Sequence, residues 1–455
     1  MVNNSQQIEG IIKPLMFEKD SDNRPENGYT ANYIMEKILY TNDVVESGST
    51  NELIQGCTSG DTILLLENNN TGLIISTRGF ETRSITEPST EQVVRGPREG
   101  FTENFRTNTS LLRRKIKNPN LKLDSVIKGK KTSTDVCVAY IEGVANPKLV
   151  KLVKQRIKNL NIDSVLDNGY IEQYIEDSPF SIFATIGHTE KPDVAASKIL
   201  EGRVAILVDG SPFALTIPFL FIENFHTSED YYMRPLFASL IRILRLISFI
   251  VSIFLVPAYI AFSTFHQELI PTTLLFTIAN AREGTPFPAS VEALILVLSF
   301  EILREAGLRL PRPVGQAISI VGALIMGDAA VAAGIVGAPV VIAVAISAVG
   351  TFVTPEIVDI IALLRIIFIL LASVLGGFGI TIGLLGMLIH LATLKSFGTN
   401  YFDTIIPSGD TKDSFVRMPL WAMQKRPKEI AYNDTTRREV FVPPMPKNAP
   451  DKEDK

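Results

Sequence analysis

Between Pro313 and Val353 the chain reads PVGQAISIVGALIMGDAAVAAGIVGAPVVIAVAISAVGTFV, about 40 residues with Asp328 as the one ionisable side chain. A soluble core helix is neither so long nor so apolar, and Pro339 divides the stretch into two pieces of bilayer-spanning length. Such a stretch makes the chain fold around a membrane block. The other residues must say whether that block transports, catalyses, anchors or gates.

Charge is distributed to match. Of 455 residues 20% are charged, most of them outside Leu244–Leu394, giving a polar N-terminal half, an apolar block and a polar tail. The net charge of −4 is small and spread out, which argues against a nucleic-acid partner. Cys57 and Cys137 lie far apart in the polar half and read as reduced, cytosol-facing thiols rather than a disulfide. The opening MVNNSQQIEGIIKPLMFEKD has neither the basic start nor the apolar run of a signal peptide, so the N-terminal half is expected to stay on the side where it is made.

The pattern predicts an α/β N-terminal half of two small subdomains, followed by an all-α polytopic membrane domain of five or six helices. The expected boundaries are a loose tail over 1–30, a first subdomain over 31–120 and a second over 121–227. A transmembrane domain follows over 228–398, then a polar tail over 399–455 that is disordered from Pro443. In the first subdomain, Asn32–Val45 has helical spacing. Asp61–Glu67 and Leu73–Thr77, joined by an Asn/Gly turn, read as a hairpin. Phe101–Lys117 reads as a helix. The second subdomain alternates strand Val136–Ile141, helix Pro147–Leu160, a short helix near Tyr170–Glu176, helix Pro192–Leu200, strand Arg203–Val208 and an edge over Ser211–Pro218.

Membrane segments are expected at Leu244–Phe262, Pro288–Ile302, Pro313–Val336 and Pro339–Val353. Ile360–Leu394 is too long for one crossing, and Gly376, Gly377 and Gly379 mark a turn near its middle. Basic residues flank one side (Arg234, Arg242, Arg245; Arg304, Arg309, Arg312; Lys395), which puts both termini in the cytoplasm. The loop Phe265–Ser290, with Arg282 as its one basic residue, is either re-entrant or an outer cap.

No catalytic set emerges. His188, His226, His266 and His390 lack metal-ligand spacing, and no cofactor pattern occurs. Gly129-Lys130-Lys131-Thr132 resembles the end of a phosphate-binding loop, but Asp124 stands where the first glycine is required. What remains are charges inside the apolar block. On a helix, Ala317, Val321, Leu324, Asp328 and Val331 form one stripe, beside a small-residue stripe of Gly315, Ser319, Ala323 and Gly327. With several copies around an axis, Leu324 would be an apolar constriction and Asp328 a ring attracting cations, with Val321 and Gln316 as further pore-lining candidates. Otherwise Asp328 pairs with Arg365 as a membrane-embedded ion pair. Arg365 itself either snorkels, the preferred reading, or pairs with Asp328, Asp359 or Glu356. Glu301, Arg304, Glu305 and Arg309 are spaced for helical ion pairs. In Arg95-Gly96-Pro97-Arg98 a fixed turn presents two guanidiniums, either as a contact for a neighbouring subunit or the membrane domain, or as a plain turn.

EQVVRGPREGFTENFRTNTSLLRRKI, GRVAILVDGSPFALTIP, EILREAGLRLPRPVGQ and the glycine-rich segment after them closely resemble the A subunits of the spore germinant receptors, the GerA (GerA/SpoVAF) family. The resemblance runs from about Gly60 to Pro419. It implies an inner-spore-membrane protein that assembles with an amino-acid-permease-like B subunit and a lipoprotein C subunit. It also implies that the A subunits oligomerise and release monovalent cations as a nutrient-gated channel. A non-conducting scaffold that docks the permease-like partner is the alternative. A secondary transporter is disfavoured, since no inverted repeat is visible.

Overall fold

The computed structural model describes residues 8–19, 30–39, 44–58, 61–66, 69–76, 85–88, 90–310, 322, 325–402, 413–423, 426 and 430. Contacts divide the chain into two compact units, Met1–Ser84 and Ile85–Lys455.

In the first unit, helix α1 (Lys13–Lys19) precedes helical turns at Ala31–Tyr33 and Ile34–Ile38. Strand β1 (Val44–Ser47), helix α2 (Thr50–Thr58) and strands β2 (Thr62–Leu65) and β3 (Gly72–Ile75) follow. The sheet is antiparallel in the order β1-β3-β2, with β2 and β3 forming the expected hairpin. Its central strand buries Leu73 and Ile75 against Ile34, Ile38 and Leu39. The helix expected over Asn32–Val45 is cut short. Val44 and Val45 pair instead with Ile75 and Ile74, because two β-branched residues complete a sheet face better than they extend a helix.

The second unit begins with a layered module. Helix α3 (Phe105–Lys115) is capped by Asn104, whose side chain accepts from Thr107 N at 3.0 Å. Strands β4 (Leu121–Lys128) and β5 (Thr134–Ile141) lead to helices α4 (Pro147–Asn159) and α5 (Asn168–Ile175). Then come strand β6 (Gly187–Thr189), helix α6 (Pro192–Glu201) and strands β7 (Val204–Val208) and β8 (Ala214–Ile217). Pro147 and Pro192 start their helices, and Gly202 ends α6 at φ 104°. The sheet is antiparallel throughout, in the order β4-β5-β7-β8-β6.

Both faces of that sheet are covered. Val136, Val138, Val204, Ile206 and Leu215 face α4 and α5, whereas Cys137, Ala139, Ala205 and Leu207 face α3 and α6. Double coverage explains why VCVAYI and VAILV read as continuous apolar runs. It also places α3, assigned from the sequence to the first subdomain, in the core of the second. Strands β4 and β6 went unread: β4 is an edge with a mostly half-exposed pattern and β6 is three residues long. Both cysteines are free. Burial pushes the Cys137 thiol up to about 12, so it acts as a small core residue.

The remaining described residues of this unit are mostly helical: α7 (Pro235–Thr264), α8 (Thr272–Arg282), α9 (Ala289–Arg309), α10 (Ala338–Phe352) and α11 (Val358–Thr393), with short turns at Ile325–Ala329 and Ala330–Ala332 and a strand pair Lys395–Ser396 and Thr399–Asn400. Helix α8 fills the loop expected to be re-entrant or a cap. Among the described residues, Pro235–Thr264 and Pro355–Thr393 are long and apolar enough to cross a membrane, and Ala338–Phe352 is a shorter apolar helix. Helix α11 is in fact two arms, 358–375 and 377–393, broken at Gly376 (φ 62°, ψ −138°). A Cβ on Gly383 would lie 2.7 Å from the side chains of both Phe368 and Leu371, so the arms run back along each other. Each arm is roughly 27 Å long at about 1.5 Å per residue, close to a bilayer core. The glycines foretold this turn.

Small residues let α7 and α10 close up. Ser347 Oγ donates to Ser252 O at 2.6 Å, and a Cβ on Gly350 would meet Ser248 O at 3.1 Å.

Candidate functional site

The layered module is fastened to the helices by a polar and aromatic junction. Phe221 and Phe225, just after β8, pack on each other with ring centroids 5.4 Å apart. Phe225 meets Phe249 of α7 at 5.3 Å, and Phe221 meets Tyr401, beyond α11, at 6.0 Å. Phe221 N donates to Tyr401 O at 3.0 Å, and Ser396 Oγ to Thr185 O at 2.6 Å. These contacts tie the end of the sheet to both ends of the helical core.

Charges sit around this cluster. Asp230, 1% exposed and five residues ahead of α7, accepts from Arg242 Nε and Arg245 Nη1, each at 2.9 Å. Asp413 from the tail accepts from Arg242 Nη1 and from the Tyr231 hydroxyl, also at 2.9 Å each. On the sheet side, Glu223 pairs with Lys198 and, at 2.6 Å, with Arg203, whose Nε lies 3.4 Å from Glu201. Glu223 also accepts from Leu220 N at 3.0 Å. His226 Nε2 bonds Ser414 O at 2.9 Å. Burial, and then the Arg242 charge, hold its pKa well below the ordinary histidine value. Removing one member of such a buried pair costs about 3–5 kcal/mol, so these contacts act as fasteners.

Arg95-Gly96-Pro97-Arg98 lies in this junction. Arg95 N donates to Glu229 Oε1 at 3.0 Å, and Lys191 Nζ to Pro97 O at 2.8 Å. Gly96 has φ 136°, and a Cβ there would stand 2.7 Å from the Tyr232 ring. Tyr232 in turn donates to Asp193 Oδ2 at 2.7 Å. The turn thus clasps the start of α6 to the residues leading into α7. Both guanidiniums point outward, with Arg98 3.9 Å from Glu87. Beside the clasp, Glu91 accepts from Thr189 Oγ1 at 2.8 Å and Glu190 N at 3.1 Å. Burial, and then the nearby Glu356 carboxylate, push Glu91 up to about 7.

The residues proposed for a pore are only partly in view. Gln316, Val321 and Leu324 lie outside the described residues. Asp328 is exposed, in the turn Ile325–Ala329. Arg365 does not snorkel, being 0% exposed, and the structure does not bring it to Asp328. Its Nη2 bonds Glu301 Oε1 at 3.4 Å and Thr351 Oγ1 at 3.1 Å, while Arg304 Nη2 lies 3.1 Å from Glu301 Oε2. Among the described residues no ion pair joins Arg365 to Asp328. The helical pairs Glu301–Arg304 and Glu305–Arg309 form as the spacing suggested. Glu292, also 0% exposed, accepts from Gly337 N at 2.9 Å and Thr285 Oγ1 at 3.1 Å, with Arg282 at 3.6 Å. It caps α10 with a carboxylate where the helix dipole favours one.

Asp230 and Glu223 escaped the sequence reading, whereas Glu292 is legible there as a charge interrupting an apolar segment. The one available signal was a carboxylate inside an aromatic or apolar run, as in FIENF.

A family model described as Bacillus/Clostridium GerA spore germination protein matches residues 1–429. Spore germination protein KA of Bacillus subtilis (strain 168) is 46% identical over 450 residues, covering 98% of this chain and 82% of its own length. Spore germination protein GerLA of Bacillus cereus is 40% identical, covering 94% and 87%. Uncharacterized membrane protein YfkQ of Bacillus subtilis (strain 168) is 44% identical, covering 92% and 84%. The crystal structure of the N-terminal domain of the A subunit of the Bacillus megaterium spore germinant receptor GerK3 is 52% identical. It covers 27% of this chain and 97% of its own, with a TM-score of 0.23. With the family model spanning nearly the whole length and relatives this similar, the chain belongs to the GerA family of spore germination proteins.

Proposed function

We propose that this chain is the A subunit of a nutrient germinant receptor in the inner spore membrane. In this reading it turns nutrient binding into cation release, as an oligomeric ligand-gated channel with both termini on the core side. Its partners would be the permease-like B subunit, the lipoprotein C subunit and further copies of itself. The observation that carries the reading is the junction at the head of α7. A movement of the layered module would reach that helix directly through Gly96–Tyr232 and Asp230–Arg242–Arg245. Buried, aromatic-backed ion pairs transmit displacement rather than absorb it.

Within that proposal Leu324 is the constriction and Asp328 the cation-attracting ring, with Val321 and Gln316 along the same path. Arg95 and Arg98, whose charged ends are exposed, are offered as contacts to a neighbouring subunit. The test is cation efflux from spores carrying the altered subunit. Leu324→Ala should leak cations without nutrient, and Gly96→Ala should slow nutrient-triggered efflux while the protein still accumulates. Wild-type efflux from both variants would overturn the reading.

A further inference from the structure

The loop 178–182, between α5 and β6, is pinned against the second arm of α11. Ser181 N donates to Ser178 O and Phe183 N to Ser181 Oγ, each at 3.0 Å, and Ser181 Oγ lies 3.0 Å from His390 Nε2. Asp177, just before the loop, accepts from Arg156 and from Phe397 N beyond the arm. The loop is thereby fixed in place, yet the Phe180 ring at its tip is fully exposed.

Behind that ring is a cavity of about 310 Å³. Leu364 and Phe368 of the first arm, Gly386 and His390 of the second, and Phe180 and Phe183 of the loop line it. A Cβ on the exposed Gly386 would meet nothing within 4 Å, so the cavity is a groove that opens there to the outside of the arms. On the same arms Leu363, Ile367, Leu385 and Ile389 are also exposed. Gly386 lies seven residues before the end of the second arm at Thr393, and Phe368 ten residues after the start of the first at Val358. At about 1.5 Å per residue these positions are roughly 10 and 15 Å in from the ends nearest the layered module. A loop of that module therefore reaches well down the flank of the hairpin, to hydrocarbon depth for arms that cross a bilayer.

The size and chemistry of the groove select its occupant. One turn of helix, 5.4 Å long and about 10 Å across, fills roughly 400 Å³, more than the groove holds. Its walls carry one polar side chain, His390, already bonded to Ser181, so water has few partners there. An acyl chain is slim, flexible and wholly apolar, and at this depth it is the neighbouring molecule. A bare phenylalanine on a pinned loop gains from burial in the same medium.

We propose that this groove is a binding site for one acyl chain of a membrane phospholipid, with Phe180 as its outer wall lying in the bilayer. The site rests on the reading of the two α11 arms as membrane-crossing helices.

The test uses the full chain reconstituted into phosphatidylcholine–phosphatidylglycerol vesicles, with its one tryptophan removed by Trp421→Phe. Phe180→Trp then places an indole on the rim of the groove, and Leu363→Trp in a parallel sample places one on the outer face of the first arm. Brominated acyl chains should quench the fluorescence of both, and aqueous iodide should quench neither. Gly386→Leu fills the groove from a position with room for a side chain. It should reduce the bromolipid quenching of Phe180→Trp and leave that of Leu363→Trp unchanged. Iodide quenching of Phe180→Trp puts the loop in water, and shielding from both quenchers means that a protein neighbour covers it; either result overturns the site. Bromolipid quenching of Phe180→Trp that Gly386→Leu does not alter overturns it as well. Absence of bromolipid quenching at Leu363→Trp would instead overturn the membrane-crossing arms, and the site with them.

Discussion

Two buried arginine clusters use the same chemistry to different ends. Near the sheet, Arg203 and Lys198 face Glu223 and Glu201, two cations against two carboxylates, and no buried side-chain atom of the four lacks a hydrogen-bond partner among the described residues. Between the helices, Arg304 and Arg365 share Glu301, with the exposed Asp359 3.9 Å from Arg304, and among the described residues four of their nitrogens have no hydrogen-bond partner. The first is complete and fastens the module to the turn at Phe221–Phe225. The second holds more buried donors than its one buried carboxylate can fill. The difference teaches that burial of an ion pair says little until the charges and donors around it are counted.

The largest expected effect tests the complete cluster. Arg203→Gln leaves the buried Glu223 and the half-buried Glu201 with one cation and should cost about 3–5 kcal/mol in chemical or thermal unfolding of the purified chain. Arg304→Gln, in the same assay, leaves the Glu301–Arg365 pair in place and should cost about 1 kcal/mol or less. Equal costs at the two positions would break the comparison. A middle-sized effect is expected at Gly96→Ala, where a side chain at φ 136° against Tyr232 should cost roughly 1–3 kcal/mol. Unchanged stability there would remove the clasp as a rigid contact.

The smallest expected effects are those of pH. Glu91 has its pKa raised, so its contribution to stability is full below about 4.5 and fades as pH rises through about 7. His226 has its pKa lowered, so its contribution is present above about 6.5 and fades as pH falls below that. Glu91→Gln should therefore flatten the decline of unfolding midpoint between pH 4.5 and 7, whereas His226→Gln should flatten the acid side. A midpoint profile identical to wild type in Glu91→Gln would show that this carboxylate is solvated.

Much of the scaffold could be read directly. The glycines at 376, 377 and 379 marked a turn inside a run too long for one crossing, because a residue at positive φ next to close backbone needs no Cβ. Helices α4 and α6 announced themselves by Asn146-Pro147 and Pro192 at their starts. The site was less legible. Arg365 is expected from sequence to snorkel or to pair with Asp328, Asp359 or Glu356, while its actual carboxylate is 64 positions away on α9. Arg95-Gly96-Pro97-Arg98 stood out as a turn with two guanidiniums, but its contacts, Glu229 and Tyr232, lie more than 130 residues on.

From the sequence alone came the apolar lengths, the helix ends, the turn inside the last apolar run and the family resemblance, since these depend on local pattern and side-chain type. Tertiary structure alone decided that the sheet is antiparallel and covered on both faces, that α3 belongs with it, and which charges are matched. Pairing across long separations depends on how helices and strands come together, and a residue's charge carries no mark of the partner that will neutralise it.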